Sequence, residues 1–192
     1  ALNDSIIIGT VENLIGSALD DSLTGDGNSN SIQGGDGKDT LAAGSGGVDT
    51  VLGGAGDDSI QVGNGLTATD HIDGGAGADK LALSGNSYAA GLVFSATTVV
   101  NVEEIDLTAA NDYKLTLNNA TNGSGLFVDG SGLGVGDTLN LNAAAETTAA
   151  LKAIGGADND TIAAGGGADT LDGGLGNDTI GGGAGNDAIT GG

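Results

Sequence analysis

Asp160, Asp169, Asp178 and Asp187 follow one another at intervals of nine residues, and two places after each stands an aliphatic: Ile162, Leu171, Ile180, Ile189. The same beat runs through the first third of the chain. There Asp21, Asn30, Asp39, Asp49, Asp58, Asp70 and Asp79 precede Leu23, Ile32, Leu41, Val51, Ile60, Ile72 and Leu81. One extra residue near Gly47 and three near Leu66–Ala68 are the only breaks in that spacing. Glycines open the best-formed units, as in Gly34-Gly-Asp-Gly-Lys-Asp-Thr-Leu-Ala42 and Gly53-Gly-Ala-Gly-Asp-Asp-Ser-Ile-Gln61. Glycine permits positive φ, so such a stretch can turn tightly and let backbone carbonyls converge. The aspartate that follows adds a carboxylate oxygen. Oxygen donors of this kind, about six to eight around each ion, are what Ca²⁺ prefers. The candidate ligands are the eleven acid or Asn positions above. With them go the backbones of Gly34 and Asp36, Gly53 and Ala55, Gly74 and Ala76, Gly155 and Ala157, Gly173 and Leu175, and Gly182 and Ala184.

A strand with one inward aliphatic cannot bury it alone. Stacked coils bury such residues as a ladder. Two nonapeptides make an 18-residue coil with a strand on each face, so residues 18 apart meet on one edge. The pairs are Asp21 with Asp39, Asn30 with Asp49, Asp39 with Asp58, Asp49 with Asp70, Asp58 with Asp79, Asp160 with Asp178, and Asp169 with Asp187. Coils lie about 5 Å apart, so each pair repels unless a cation bridges it. Divalent ions at all seven positions would bring the formal charge of -22 to about -8. About 5–7 calcium ions, and folding coupled to their binding, are the expectation.

Residues 83–152 lack the nonapeptide, yet Leu92–Phe94, Val99-Val100, Val102, Ile105–Leu107, Leu115–Leu117, Leu126–Val128 and Leu139–Leu141 read as short strands. Ala143–Leu151 is helix-permissive. The expected fold is all-β: a parallel β-roll or β-solenoid over 11–82 and 153–192, with a wider-coil β segment at 83–152 between them. A separate small β-sandwich in the middle is the alternative. Tyr88, Tyr113, Phe94 and Phe127 all fall there and are expected to pack the wider coils. Asp112, Asp129 and Asp137 read as turn formers, with an extra metal site as the alternative, and Glu103-Glu104 as a solvated edge, with a calcium contact as the alternative. Lys38, Lys80, Lys114 and Lys152 read as charges that discourage strand-edge pairing.

Composition removes other functions. The chain has 192 residues, 40 of them Gly, and no Cys, so disulfides and thiolate metal sites are excluded. Twenty-six acids against four Lys argue against nucleic acid and anionic membranes as partners. No apolar run reaches the roughly 18 residues of a membrane span. The one histidine, His71, follows a repeat aspartate and reads as an outward strand residue, which leaves no triad and no expected catalytic site. Glycine patterns lack the Walker spacing, and no EF-hand loop has its twelfth-position Glu.

The nonapeptide Gly-Gly-x-Gly-x-Asp-x-aliphatic-x resembles that of the RTX (repeats-in-toxin) calcium-binding proteins. The resemblance implies a calcium-binding parallel β-roll, extracellular folding and type I secretion. Asn101–Thr108 looks like the spacers between such blocks in surface-layer and adhesin proteins. Those similarities imply a secreted bacterial surface-layer, sheath or adhesin module that pairs with copies of itself in a lattice or filament. An accessory roll of a type I-secreted hydrolase or toxin is the other reading. The ends of the chain, without a leader or caps of its own, suggest an excerpt of a longer protein.

Overall fold

The computed structural model describes residues 5–7, 12–118 and 125–192. One face is a ten-stranded parallel sheet running from Ser5–Ile7 to Ala188–Thr190. The opposite face is two five-stranded parallel sheets. One contains Asn13–Ile15, Ser31–Asp36, Thr50–Ala55, His71–Ala76 and Val99–Val100. The other contains Leu92–Val93, Tyr113–Thr116, Leu139–Asn142, Thr161–Ala163 and Thr179–Gly181.

Register explains the ladder. On the ten-stranded sheet Leu23 pairs with Leu41, Leu41 with Ile60, Ile60 with Leu81, Leu81 with Ile105, and Ile105 with Val128. Val128 then pairs with Ala153, and Ala153 with Leu171. Each of these side chains is 0 or 1% exposed. Burial of each large aliphatic contributes about 1.5–3 kcal/mol, so the stack supplies the cohesion that the aromatic-poor composition withholds. Ile180 and Ile189, on the last two rungs, are only partly covered.

The middle segment continues the solenoid. Glu104–Leu107 pairs with Lys80–Leu83 on one side and Leu126–Asp129 on the other, within the same ten-stranded sheet. The offset between successive edges grows from 18 to 24 residues there. The extra length holds a 3-10 turn, Asn86–Ala90, that the sequence reading did not anticipate. It also holds the fully buried Tyr88, Phe94 and Tyr113, with the two tyrosine rings stacked at 5.8 Å. Ala143–Leu151 is a wide loop ending in a strand, without helix.

Two expectations about side chains change. Phe127 lies on the outer face, between inward Leu126 and Val128, where the Lys152 ammonium sits 3.8 Å from its ring centre. Lys80, on an interior strand of the same face, pairs with Glu104 and Asp106 at 2.9 Å each. These two lysines join neighbouring coils and do not guard a free edge.

Candidate metal centre

The glycine loops form the edges of the roll. In the loop Gly53–Asp58, Gly54 has φ 117° and Gly56 φ 132°. An added Cβ on Gly54 would collide with the carbonyl oxygen of Gly35 on the coil before, so glycine is required both for the turn and for the close stacking.

The stacking brings together all seven predicted pairs through one repeated hydrogen bond. The Asp39 Oδ1 accepts the Asp21 N–H at 2.8 Å, and Asp58 and Asp79 in turn accept the N–H of Asp39 and Asp58 at 2.8 Å. On the other edge Asp49 accepts from Asn30 and Asp70 from Asp49, again at 2.8 Å. In the C-terminal block Asp178 accepts from Asp160 at 2.9 Å and Asp187 from Asp169 at 3.1 Å. The inserted residues near Gly47 and Leu66 therefore lengthen the loops without breaking the pairing, with Leu66 itself turned into the core.

One carboxylate oxygen of each acid is thus occupied. The second oxygen of Asp39, Asp58, Asp79, Asp169 and Asp178 is buried and has no hydrogen-bond partner. A buried carboxylate left so costs several kcal/mol, and proteins compensate such groups by pairing or by metal coordination. Second oxygens along the ladder also meet carbonyls. Built on Gly34, a Cβ would run into both the Asp39 Oδ2 and the Gly53 carbonyl oxygen. At Gly53 it would meet Asp58 Oδ2 and the Gly74 oxygen, and at Gly155 Asp160 Oδ2 and the Gly173 oxygen. These loops therefore gather carboxylate and carbonyl oxygens, the donor chemistry of a hard divalent cation. Among the described residues no three or more acidic or histidine side chains cluster. Side chains can contribute only in pairs there, and carbonyls would have to complete the shell.

The third-position carbonyls are partly engaged. Ala55 and Ala76 accept the Gly37 and Gly56 N–H at 2.8 Å, and Ala184 accepts from Gly167 at 3.0 Å. Each retains a second lone pair. The pairs are not equal either. Asp21 Oδ2 accepts from Ser17, Asp70 Oδ2 from Thr67, and Asp160 Oδ2 from the Gly156 N–H at 2.6 Å, so those oxygens are already held by the protein.

Electrostatics follow the burial. Desolvation pushes the carboxyls of Asp39, Asp49, Asp79, Asp160 and Asp169 above their ordinary value. Asp58, desolvated and facing the charges of Asp39, Asp79 and Asp57, is pushed up to about 6.

Glu103 was read as a solvated edge residue, and the structure corrects this. Its Oε2 accepts the Asp79 N–H at 2.8 Å, so it continues the aspartate ladder by one rung beyond the repeats. Asn101, at φ 50°, turns the chain just before it, and the Asn101 carbonyl oxygen faces Gly74 as the Gly74 oxygen faces Gly53. Three residues thus substitute for a six-residue loop. No nonapeptide signal marks them; only the Asn, a residue that tolerates left-handed backbone, gives a hint. Asp129 and Asp137 close local turns, accepting from Ser131 and Gly134, whereas Asp112 bonds across coils to Thr138, and Asp137 also reaches across to Ala110. His71 bonds through Nδ1 to the Thr97 carbonyl at 2.6 Å.

A family model for the RTX calcium-binding nonapeptide repeat matches residues 15–47, 43–81 and 154–189, somewhat more than half of the chain. No curated protein and no solved structure matches it. With the repeat matched over that length and its acids stacked coil upon coil, the chain belongs to the RTX calcium-binding nonapeptide repeat proteins, and its architecture is their calcium-binding β-roll.

Proposed function

We propose that the chain is a calcium-dependent structural module of a secreted bacterial surface-layer, sheath or adhesin protein. In this reading two repeat rolls, 11–82 and 153–192, flank a wider-coil spacer at 83–152, and about 5–7 ions bind between coils at the paired acids. The observation that carries it is the set of buried aspartate oxygens left without a protein partner. Extracellular calcium modules bind in roughly the 10⁻⁴–10⁻³ M range, which matches calcium outside a cell and not within it. The chain would then remain unfolded during export, as type I secretion requires, and order outside.

A structural role draws support from the ten-stranded sheet that joins both repeat blocks through the middle segment. No helix among the described residues is long and apolar enough to cross a membrane. The test is electron microscopy of the purified chain as calcium is raised to about 1 mM. Lattices or filaments are expected. Dispersed particles at every calcium concentration would instead favour the accessory roll of a secreted hydrolase or toxin.

A further inference from the structure

The acid ladder of the first block has a direction. Asp39 and Asp58 each give Oδ1 to the N–H of the acid one coil before, Asp21 and Asp39 respectively. Each turns Oδ2 toward the coil after it. Asp39 Oδ2 stands beside the Gly53 carbonyl oxygen, and Asp58 Oδ2 beside the Gly74 carbonyl oxygen, where a Cβ on Gly34 or Gly53 would intrude. A position between two coils is therefore built from the Oδ2 of the earlier acid, a carbonyl of the later coil and the later acid.

Asp79 ends the repeats but does not end this pattern. Its Oδ1 takes the Asp58 N–H at 2.8 Å, which completes the pair below. Its Oδ2 faces the coil above, where the nonapeptide has stopped. Asp79 is 1% exposed, and that oxygen has no hydrogen-bond partner. The Asp58–Asp79 position is served by Asp58 Oδ2, so the repeats leave Asp79 Oδ2 without a role. A buried carboxylate oxygen in this condition calls for a cation or a donor.

The coil above supplies the other half. Glu104 pairs in register with Lys80, which puts Glu103 at the aspartate position. Glu103 Oε2 takes the Asp79 N–H at 2.8 Å, as Asp79 takes that of Asp58. The Asn101 carbonyl oxygen and Asp79 Oδ2 both stand where a Cβ on Gly74 would intrude, repeating the arrangement at Gly53. Asn101 reaches that place through its left-handed turn, and its side-chain N–H donates to Asp73 Oδ1 at 2.8 Å, which ties the turn to the coil below. Desolvation pushes the Asp79 carboxyl up; the hydrogen bond from the Asp58 N–H opposes this, and the Glu103 charge adds to it. The acids stop there, because the next coil places the buried Leu126 in register with Glu103.

We propose that the position between the coils of Asp79 and Glu103 binds a divalent cation through Asp79 Oδ2, the Glu103 carboxylate and the Asn101 carbonyl oxygen. The proposal rests on the reading that the paired acids of the roll hold calcium. It adds one ion that the nonapeptide does not encode, at the junction of the first repeat block with the wider coils.

Calcium bound per chain is counted by elemental analysis after gel filtration in about 1 mM calcium, for the full chain, Glu103→Gln and Glu104→Gln. Glu103→Gln keeps an oxygen for the Asp79 N–H, so a role in hydrogen bonding alone would leave its count at the parent value; one ion fewer is expected. Glu104→Gln removes the same charge one residue away, from a side chain paired with Lys80 at 2.9 Å, and is expected to keep the full count. A parent count in Glu103→Gln overturns the proposal and leaves the repeat sites standing, and so does an equal loss in both variants. A parent chain that holds no calcium overturns both readings. An anomalous difference map of the parent crystallised in calcium reads the position without any variant. Density beside Asp79 Oδ2 and the Asn101 carbonyl is expected, and none there with the repeat pairs filled overturns the proposal.

Discussion

Stripped of calcium at pH 7.5, the chain is expected to lose its β-sheet, and acidification to about pH 4.5 without calcium to restore part of it. The reason lies in the loops. Asp39, Asp58, Asp79, Asp169 and Asp178 each bury an oxygen with no protein partner. Asp39, Asp49, Asp58, Asp79, Asp160 and Asp169 all have carboxyls pushed upward, chiefly by desolvation. For such a group the folded chain binds protons more tightly than the unfolded chain. Stability is therefore highest below the ordinary value near 3.8 and is lost as pH rises toward the folded value, about 6 for Asp58. That rise corresponds to about 2–3 kcal/mol for Asp58 alone at neutral pH. Several acids shifting the same way rival the roughly 5–15 kcal/mol that holds a domain together. Calcium has the opposite dependence, since its ligands must be deprotonated. Circular dichroism across pH 4–8, with and without chelator, reads both trends: calcium-dependent structure at neutral pH and calcium-independent structure only in acid. A calcium-free chain most stable at neutral pH would contradict this electrostatic account.

Asp58→Asn is expected to change sign with calcium. Asp58 belongs to two pairs, with Asp39 below and Asp79 above. An asparagine retains an oxygen to accept the Asp39 N–H but brings no charge. In calcium, both adjacent positions lose a carboxylate. The bound-ion count should fall by up to two and the melting temperature by about 10 °C, as expected for a loss of roughly 3 kcal/mol in a chain of this size. Without calcium the same change removes a buried like charge, and more of the β-sheet signal should survive chelation at pH 7.5. Thr179→Ala, at an exposed side chain beside Asp178, should move neither value by more than about 0.5 kcal/mol. A destabilisation of the same sign in both conditions would mean that Asp58 serves only as a hydrogen-bond acceptor.

The aspartate pairs were legible because a nine-residue period on a stacked coil leaves little freedom. Once Leu23, Leu41 and Ile60 share a ladder, Asp21, Asp39 and Asp58 must share an edge. Insertions did not disturb this, since extra residues are taken up within the loops while the strands keep register. The wider coils were legible as strands but not in detail. Phe127 was assigned to packing for its hydrophobicity, although its place between inward Leu126 and Val128 already directs it outward. Glu103 escaped because the acid that its coil needs arrives from a turn of different length, off the nonapeptide beat. Its signal is a left-handed Asn101 two residues earlier, which no spacing rule identifies.

The central claim concerns where the ions sit. An anomalous difference map from crystals grown in calcium tests it most directly. Peaks are predicted on the edges of the roll, between the coils carrying Asp39 and Asp58, Asp58 and Asp79, Asp160 and Asp178, and Asp169 and Asp187. A map with no density at those pairs, or with calcium only on outer strand faces, would contradict the account.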